Sequence, residues 1–489
     1  ALSILDESPN SNNPSLEVTL YNLGSVNFNL GMSIKAEKYF LRSIEITENN
    51  LGNEHPDISR ALQFLGMIYM DQGLYDKAEP LLVRSLAINE KTLGPTHPDT
   101  SDSLDRLASL YQDQGLYDKA EPLFIRALAI DEKVYEADHP SISTKLNNLA
   151  LLYMDQGLYD KAEPLLVRSL SISEKYFGSE NTQTATNLNN LGLLYLEKGF
   201  YKKAKPLLVK ALDIDEKNYG TFHPLVSIAS SNLALLYEDQ SIYDEGEPFA
   251  RKTLKINFTL IQRDAPYLVL SERQLFSESF GNTYERAFSY AWHGEKGEKL
   301  ALFSRLNKQG LLEEIEKRQA KLAMLPGPQK IVSEKLRELT QKISSKDLSI
   351  EERKKLKKQK NNLERKLYRL LPELEPRIVS VSEVAEVIPE DGILVEFIKY
   401  SPFNGANSGY EKWEDERYLA ITLTKNERIE VIDLGLAETI ENKIKIAIKA
   451  SEEVLIDAQK LWDDVGKLVL KPLEEIINQK TILFISPDA

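Results

Sequence analysis

The 489-residue sequence contains no cysteine, which excludes disulfides, thiolate metal sites and a cysteine nucleophile within it. That absence suits a reducing compartment, and a cytoplasmic location is the expectation. Histidine is scarce, at five residues. Four of the five recur in one repeated context, a full repeat apart, which argues against convergence on a metal ion. No apolar run approaches the roughly 18 residues of a membrane span. No charged-then-apolar opening resembles a signal peptide, and no glycine-rich loop is present to cradle phosphate. No cofactor, metal site or membrane association is expected.

The charge is unevenly placed. Residues 1–250 hold 21 basic and 36 acidic side chains, a net −15, and the remainder is at +1. An acidic first half repels nucleic acid, so the expected partner is a protein or peptide, basic or neutral in character.

What the sequence does have is a ruler. GLYDKAEPL occurs at 73–81, 115–123 and 157–165, with variants at 199–207 and 241–249 and a weaker copy from Gly31. The step is 42 residues without insertion. His55-Pro56, His97-Pro98, His139-Pro140 and His223-Pro224 keep the same step, with Asn181 replacing the histidine once. Such self-similarity marks a stacked array. By this ruler Ala1-Leu2-Ser3-Ile4 aligns with Ala127-Leu128-Ala129-Ile130, so the chain is expected to open inside a repeat's second helix.

Each unit reads as two helices. Leu146, Leu149, Ala150 and Tyr153 form one apolar stripe; Gly157 breaks the helix; Ala162, Leu165, Leu166 and Leu170 form the next stripe. Asp160 is the expected cap of that second helix, with Pro164 near its first turn. The His-Pro pair starts the first helix. Small residues recur where the two helices must cross: Gly24, Gly66, Ala108, Ala150, Gly192 and Ala234, facing Ala36, Ala78, Ala120, Ala162, Ala204 and Gly246. This pattern resembles the tetratricopeptide repeat (TPR), and the long period with phrases such as LNNLALLY is similar to the repeats of kinesin light chains. The resemblance implies a mainly α fold: a right-handed α-solenoid of about six repeats over residues 1–262.

First helices of such arrays line the concave face. Asn22, Asn148, Asn190 and Asn232 share one position there, taken by Phe64 and Arg106 in the second and third units. Amides in a row can bond an extended peptide backbone without demanding a sequence, or they can tie neighbouring helices together. Where Phe64 and Arg106 interrupt the row, a ligand side chain is the expected contact. Asp71, Asp113, Asp155, Glu197 and Asp239 form a second ladder near the helix ends. It reads as a solvated rim or as a selector of basic segments. Asp102 and Asp105 beside Arg106 leave a mixed-charge ligand open.

After residue 262 the ruler fails. Residues 263–378 read as a helical connector; after the break Pro326-Gly327-Pro328, helices over about 329–344 and 350–371, separated by SSKDLS, form a hairpin or short antiparallel coiled coil. ERKKLKKQKNNLERKLYR is strongly basic. It is a solvated face, a nucleic-acid contact resting on charge alone, or a helix that docks on the chain's own acidic repeats. From 379 the period changes: DGILVEFIKY, RYLAITLT and RIEVIDLG read as strands, helices follow over about 437–454 and 456–477, and TILFIS reads as a buried strand followed by a Ser-Pro-Asp turn.

VIPEDGILVEFIKYSPF, KWEDERYLAITL, IDLG and ILFISPDA, behind LNKQGLLEE, resemble the opening half of the CHAT domain, a caspase-like α/β domain found behind TPR arrays in bacteria. Ala489 departs from the glycine usual in that family. The resemblance implies that residues 379–489 are the N-terminal part of such a domain, with the catalytic His and Cys lying beyond residue 489. His293, in AWHGEKG, imitates a catalytic motif but sits in helical sequence without a nucleophile in reach. The chain as given is therefore not expected to be an enzyme. The leading reading is an interaction scaffold coupling a peptide-binding groove to a CHAT domain. The alternative is the sensing half of a caspase-like cysteine peptidase.

Overall fold

The computed structural model describes residues 14–344, 348–403, 412–453 and 457–485. The part-repeat at Ala1–Ile4 and the Ser-Pro-Asp turn lie outside them. Two compact units are present: residues 1–229, 260–280 and 315–374, and residues 230–259, 281–314 and 375–489. The helix pair of the sixth repeat contributes to both.

The first unit is built from helix pairs: α1 (Pro14–Asn29) and α2 (Ser33–Leu51), α3 (Pro56–Asp71) and α4 (Tyr75–Thr92), α5 (Pro98–Asp113) and α6 (Tyr117–Val134), α7 (Pro140–Asp155) and α8 (Tyr159–Phe177), α9 (Thr182–Glu197) and α10 (Tyr201–Tyr219). The recurring histidines cap the first helices. Nδ1 of His55, His97, His139 and His223 accepts the backbone N–H two residues on, at 3.1–3.3 Å, and Oδ1 of Asn181 does so at 2.9 Å. Asn can replace His there because both offer an acceptor one short side chain from the backbone.

The small residues do what their size suggests. A Cβ on Gly66 would lie 2.6 Å from Leu82 Cδ2, and one on Gly192 2.7 Å from Leu208 Cδ2, so the helices of a pair cross closely. The turns between them need a left-handed residue, supplied by Gly73, Gly115, Gly157 and Gly199 at φ near +70°. Two local expectations fail. Asp160 does not cap α8, whose N-cap is Leu158 without a side-chain bond; it pairs instead with Lys198 at 3.1 Å. Pro164 falls in the second turn, since α8 already begins at Tyr159. Between repeats, Arg84–Glu48, Arg126–Glu90 and Arg168–Glu132 pair at 2.6–2.8 Å on the surface. Such pairs set register more than stability. The array curls until its ends meet: His223 Nε2 lies 3.0 Å from Asn29 O, and Pro224 abuts Gly31.

The same unit holds α13 (Leu270–Glu278), most of α16 (Leu311–Ala323), and the hairpin α17 (Pro328–Ile343) and α18 (Ile350–Leu370). Ala323, Val332, Leu367, Tyr368 and Leu371 form its core. Buried Arg273 is stacked 4.7 Å from the Tyr368 ring. Glu272 joins the hairpin to the repeats, pairing with Arg365 at 2.7 Å and Lys77 at 2.5 Å. Residues Arg353–Lys358 of the basic helix are otherwise mostly exposed.

The second unit completes α11 (Pro224–Glu238) and α12 (Tyr243–Asp264), then adds α14 (Thr283–Ser289), α15 (Gly294–Lys308) and α19 (Val381–Val387). Its sheet comprises β1 (Gly392–Tyr400), β2 (Arg417–Leu423), β3 (Ile429–Leu436) and β4 (Ile482–Ile485), in the order β3-β2-β1-β4. The first three strands are an antiparallel meander, and β4 lies parallel to β1. The β3–β4 connection carries α20 (Ala437–Glu452), α21 (Ala458–Val469) and the short α22 (Glu474–Ile477). The single helix expected over 456–477 is broken around Pro472, whose ring and missing N–H interrupt the ladder. Ile393, Val395, Ala420, Leu434, Ile440 and Leu473 pack together in the core. The strand expected to be buried is not: Ile482, Leu483, Phe484 and Ile485 are all exposed, because β4 is an edge strand bonded only to β1.

Candidate functional site

First helices of neighbouring repeats share one wall. Tyr21 of α1, Arg60, Phe64 and Met67 of α3, Asp102 and Arg106 of α5, and Thr144 and Lys145 of α7 line a single cavity of about 300 Å³. The positions where Phe64 and Arg106 interrupt the amide row therefore coincide with a hollow. Phe64 is anchored by stacking on Phe40, with centroids 4.9 Å apart. Lys145 is buried and neutralised by Asp102 at 2.6 Å and Asp105 at 3.6 Å. Arg60 approaches Asp57 only to 3.9 Å, and Arg106 makes no ion pair among the described residues.

The amide row is used between helices. Asn148 Nδ2 donates to Asp105 Oδ2 at 2.9 Å, and Asn190 Nδ2 donates to Asn147 Oδ1 at 2.9 Å. Asn22 is exposed, Asn148 half-buried and Asn190 buried. Sequence reasoning missed the acceptors, Asp105 and Asn147, although they share one repeat position adjoining the ladder; that adjacency was the available signal. Asn232 lies on α11 in the second unit, half-buried.

The acidic row is less committed. Asp71 and Asp113 make no side-chain ion pair among the described residues, and Glu197 is exposed. Burial and the neighbouring Asp113 raise the Asp71 carboxyl to about 7, with Arg106 opposing. Burial and Asp155 raise Asp113 to about 6. Both residues are nevertheless exposed, so the desolvation is partial and the like charge of the neighbouring carboxylate adds to it. Asp155 is also raised by burial, although Gln112 Nε2 donates to it at 2.6 Å. In the second unit the equivalent position is occupied: Lys412 Nζ lies 3.0 and 3.1 Å from the two oxygens of Asp239, whose side chain is 4% exposed. Next to it Arg286 forks onto Glu238 at 2.8 and 3.1 Å.

His293 stacks on Tyr243 with centroids 3.6 Å apart, and burial lowers its pKa. No cluster of potential metal ligands is found among the described residues, and none of their helices is long and apolar enough to cross a membrane.

This geometry is that of a repeat scaffold for protein–protein interaction, and comparison with known proteins gives the class. Residues 15–257 match the tetratricopeptide repeat family model, in overlapping segments 15–69, 57–133, 104–144, 141–217 and 183–257. The chain thus carries a TPR α-solenoid. Its repeats are similar to those of a Podosopora anserina kinesin light chain described as having nearly identical TPR-like repeats: 27% identity over 42% of this chain and 97% of that one, TM-score 0.33. BtubC (BKLC) from P. vanneervenii matches at 22% identity over 46% of this chain and 89% of that one, TM-score 0.36. A Rap protein in complex with competence and sporulation factor matches at 17% over 50% and 75%, TM-score 0.41. No curated protein sequence matches the chain.

Proposed function

We propose that the first-helix wall of the repeats binds an extended peptide segment carrying Lys or Arg, and that occupancy is passed to a CHAT-like C-terminal domain. One observation carries the reading: the acidic ladder is uncommitted at Asp71 and Asp113, while at the equivalent Asp239 the chain's own Lys412 already sits on the carboxylate. That pair is a template for a ligand's cation. The free N–H of Asn148 Nδ2 remains available to a peptide carbonyl, since one of its two hydrogens is used. Asn22, exposed on α1, offers a whole amide. The strand order after residue 379 supports the CHAT resemblance, and the peptidase alternative stands or falls with that domain.

Neighbouring helices pack about 8–10 Å apart, and an extended chain advances roughly 3.3 Å per residue. A ligand with lysine at every third residue thus meets successive rungs. A fluorescein-labelled peptide of that spacing should bind with an affinity that falls at least tenfold in D113N/D155N and with added salt. Equal affinity for the variant, with unchanged helicity, would refute the groove.

A further inference from the structure

The cavity between α1, α3, α5 and α7 has the opposite character to the acidic ladder. Its floor carries one negative charge in excess, because Lys145 faces both Asp102 and Asp105, and Arg60 and Arg106 bring the total to +1. Its polar side groups are already engaged: Ser141 Oγ donates to Asp131 Oδ2 at 2.6 Å, and Gln63 Nε2 to Ser103 Oγ at 2.9 Å. What remains is two guanidiniums beside the apolar wall of Phe64, Met67 and Tyr21: Arg60, held only by a 3.9 Å contact to Asp57, and Arg106, without an ion pair among the described residues.

We infer that this cavity is a binding site for a phosphate monoester. A carboxylate has two oxygens, and a single bidentate guanidinium uses both. Two guanidiniums at one hollow are matched by a group with three terminal oxygens, which can take a fork from each. Arginine is also the residue whose planar donors suit phosphate, and both positions are arginine, not lysine. The apolar wall accommodates the organic part of the ester. About 300 Å³ is the size of a small-ligand pocket. The site goes beyond the basic-peptide reading and does not depend on it, since the charge required is reversed. The ester can be carried by a phosphorylated residue of a partner or by a free mononucleotide.

The test uses the full chain and phenyl phosphate, titrated by calorimetry and by 31P NMR, with benzoate as the carboxylate counterpart of equal ring size. Saturable binding of phenyl phosphate is expected, at least tenfold tighter than benzoate and lost in R60Q/R106Q. Binding in D113N should match wild type, which separates this site from the acidic ladder. A phosphoserine peptide and AMP form the second arm: whichever binds more tightly identifies the source, and either result supports the site. Benzoate binding as tightly as phenyl phosphate would overturn the proposal. So would no saturation by about 10 mM, or retained binding in the double variant with its circular dichroism unchanged.

Discussion

Asp215 should make the protein less stable at neutral pH than it need be. Its side chain is 3% exposed on α10, and Oδ1 has no hydrogen-bond partner among the described residues. Burial raises the carboxyl from 3.8 to about 7. The sign follows from linkage: well below pH 3.8 the group is protonated in both states and costs nothing. As pH rises, the unfolded chain ionises first, and the penalty on the folded state grows until it is complete above pH 7. At about 1.4 kcal/mol per pKa unit the ceiling is roughly 4 kcal/mol, and relaxation or water entry would lower it. The array itself supplies the remedy. At the same repeat position Asn89 donates to Asp99 O at 2.8 Å and Ser103 Oγ at 2.9 Å, and a serine stands at 173. Asp215→Asn should therefore raise the urea midpoint followed by circular dichroism most at pH 8, by only about a quarter as much in free energy at pH 4.5, and hardly at all at pH 3. Comparing variant with wild type at each pH cancels the other titrating groups. A variant destabilised at pH 8 would refute the reasoning, for it would mean that the ionised carboxylate is needed.

Ser241 stands at φ +59° where five other repeats place glycine; Ser241→Gly should relieve about 1 kcal/mol of left-handed strain and raise the melting temperature. His139→Ala removes the cap bond to Ser141 N and should cost about 1 kcal/mol, whereas His139→Asn, mimicking Asn181, should cost much less in the same thermal melt. Arg286→Ala leaves Glu238, 1% exposed on its side chain, without its fork; a loss of roughly 3–5 kcal/mol is expected, read as early exchange of α11 amides in hydrogen–deuterium measurements.

The repeats were legible because periodicity reports directly on which residues must be buried or small. Gly66 and Gly192 mark helix crossings, and the His-Pro pairs mark helix starts, with no reference to distant contacts. The connector hairpin was legible for the same reason, its ends falling within a residue or two of 329–344 and 350–371. The site was less so. Periodicity says that Asn148 and Asn190 share a position, but not that each turns toward the preceding repeat. Nor can it place Lys412, remote in sequence, on Asp239. The exposed β4 shows the converse limit: an apolar run signals what a strand could bury, not which neighbours cover it.

The central claim is that the acidic ladder receives a ligand's basic side chains, and carbodiimide coupling tests it at the atoms concerned. The reagent joins a carboxylate to an amine that is already in contact with it. With the peptide carrying lysine at every third residue, mass spectrometry should find amide links from ligand lysines to Asp71, Asp113 or Asp155, suppressed by salt. Links confined to the second-helix surface acids Glu48, Glu90 and Glu132, with none on the ladder, would contradict the account.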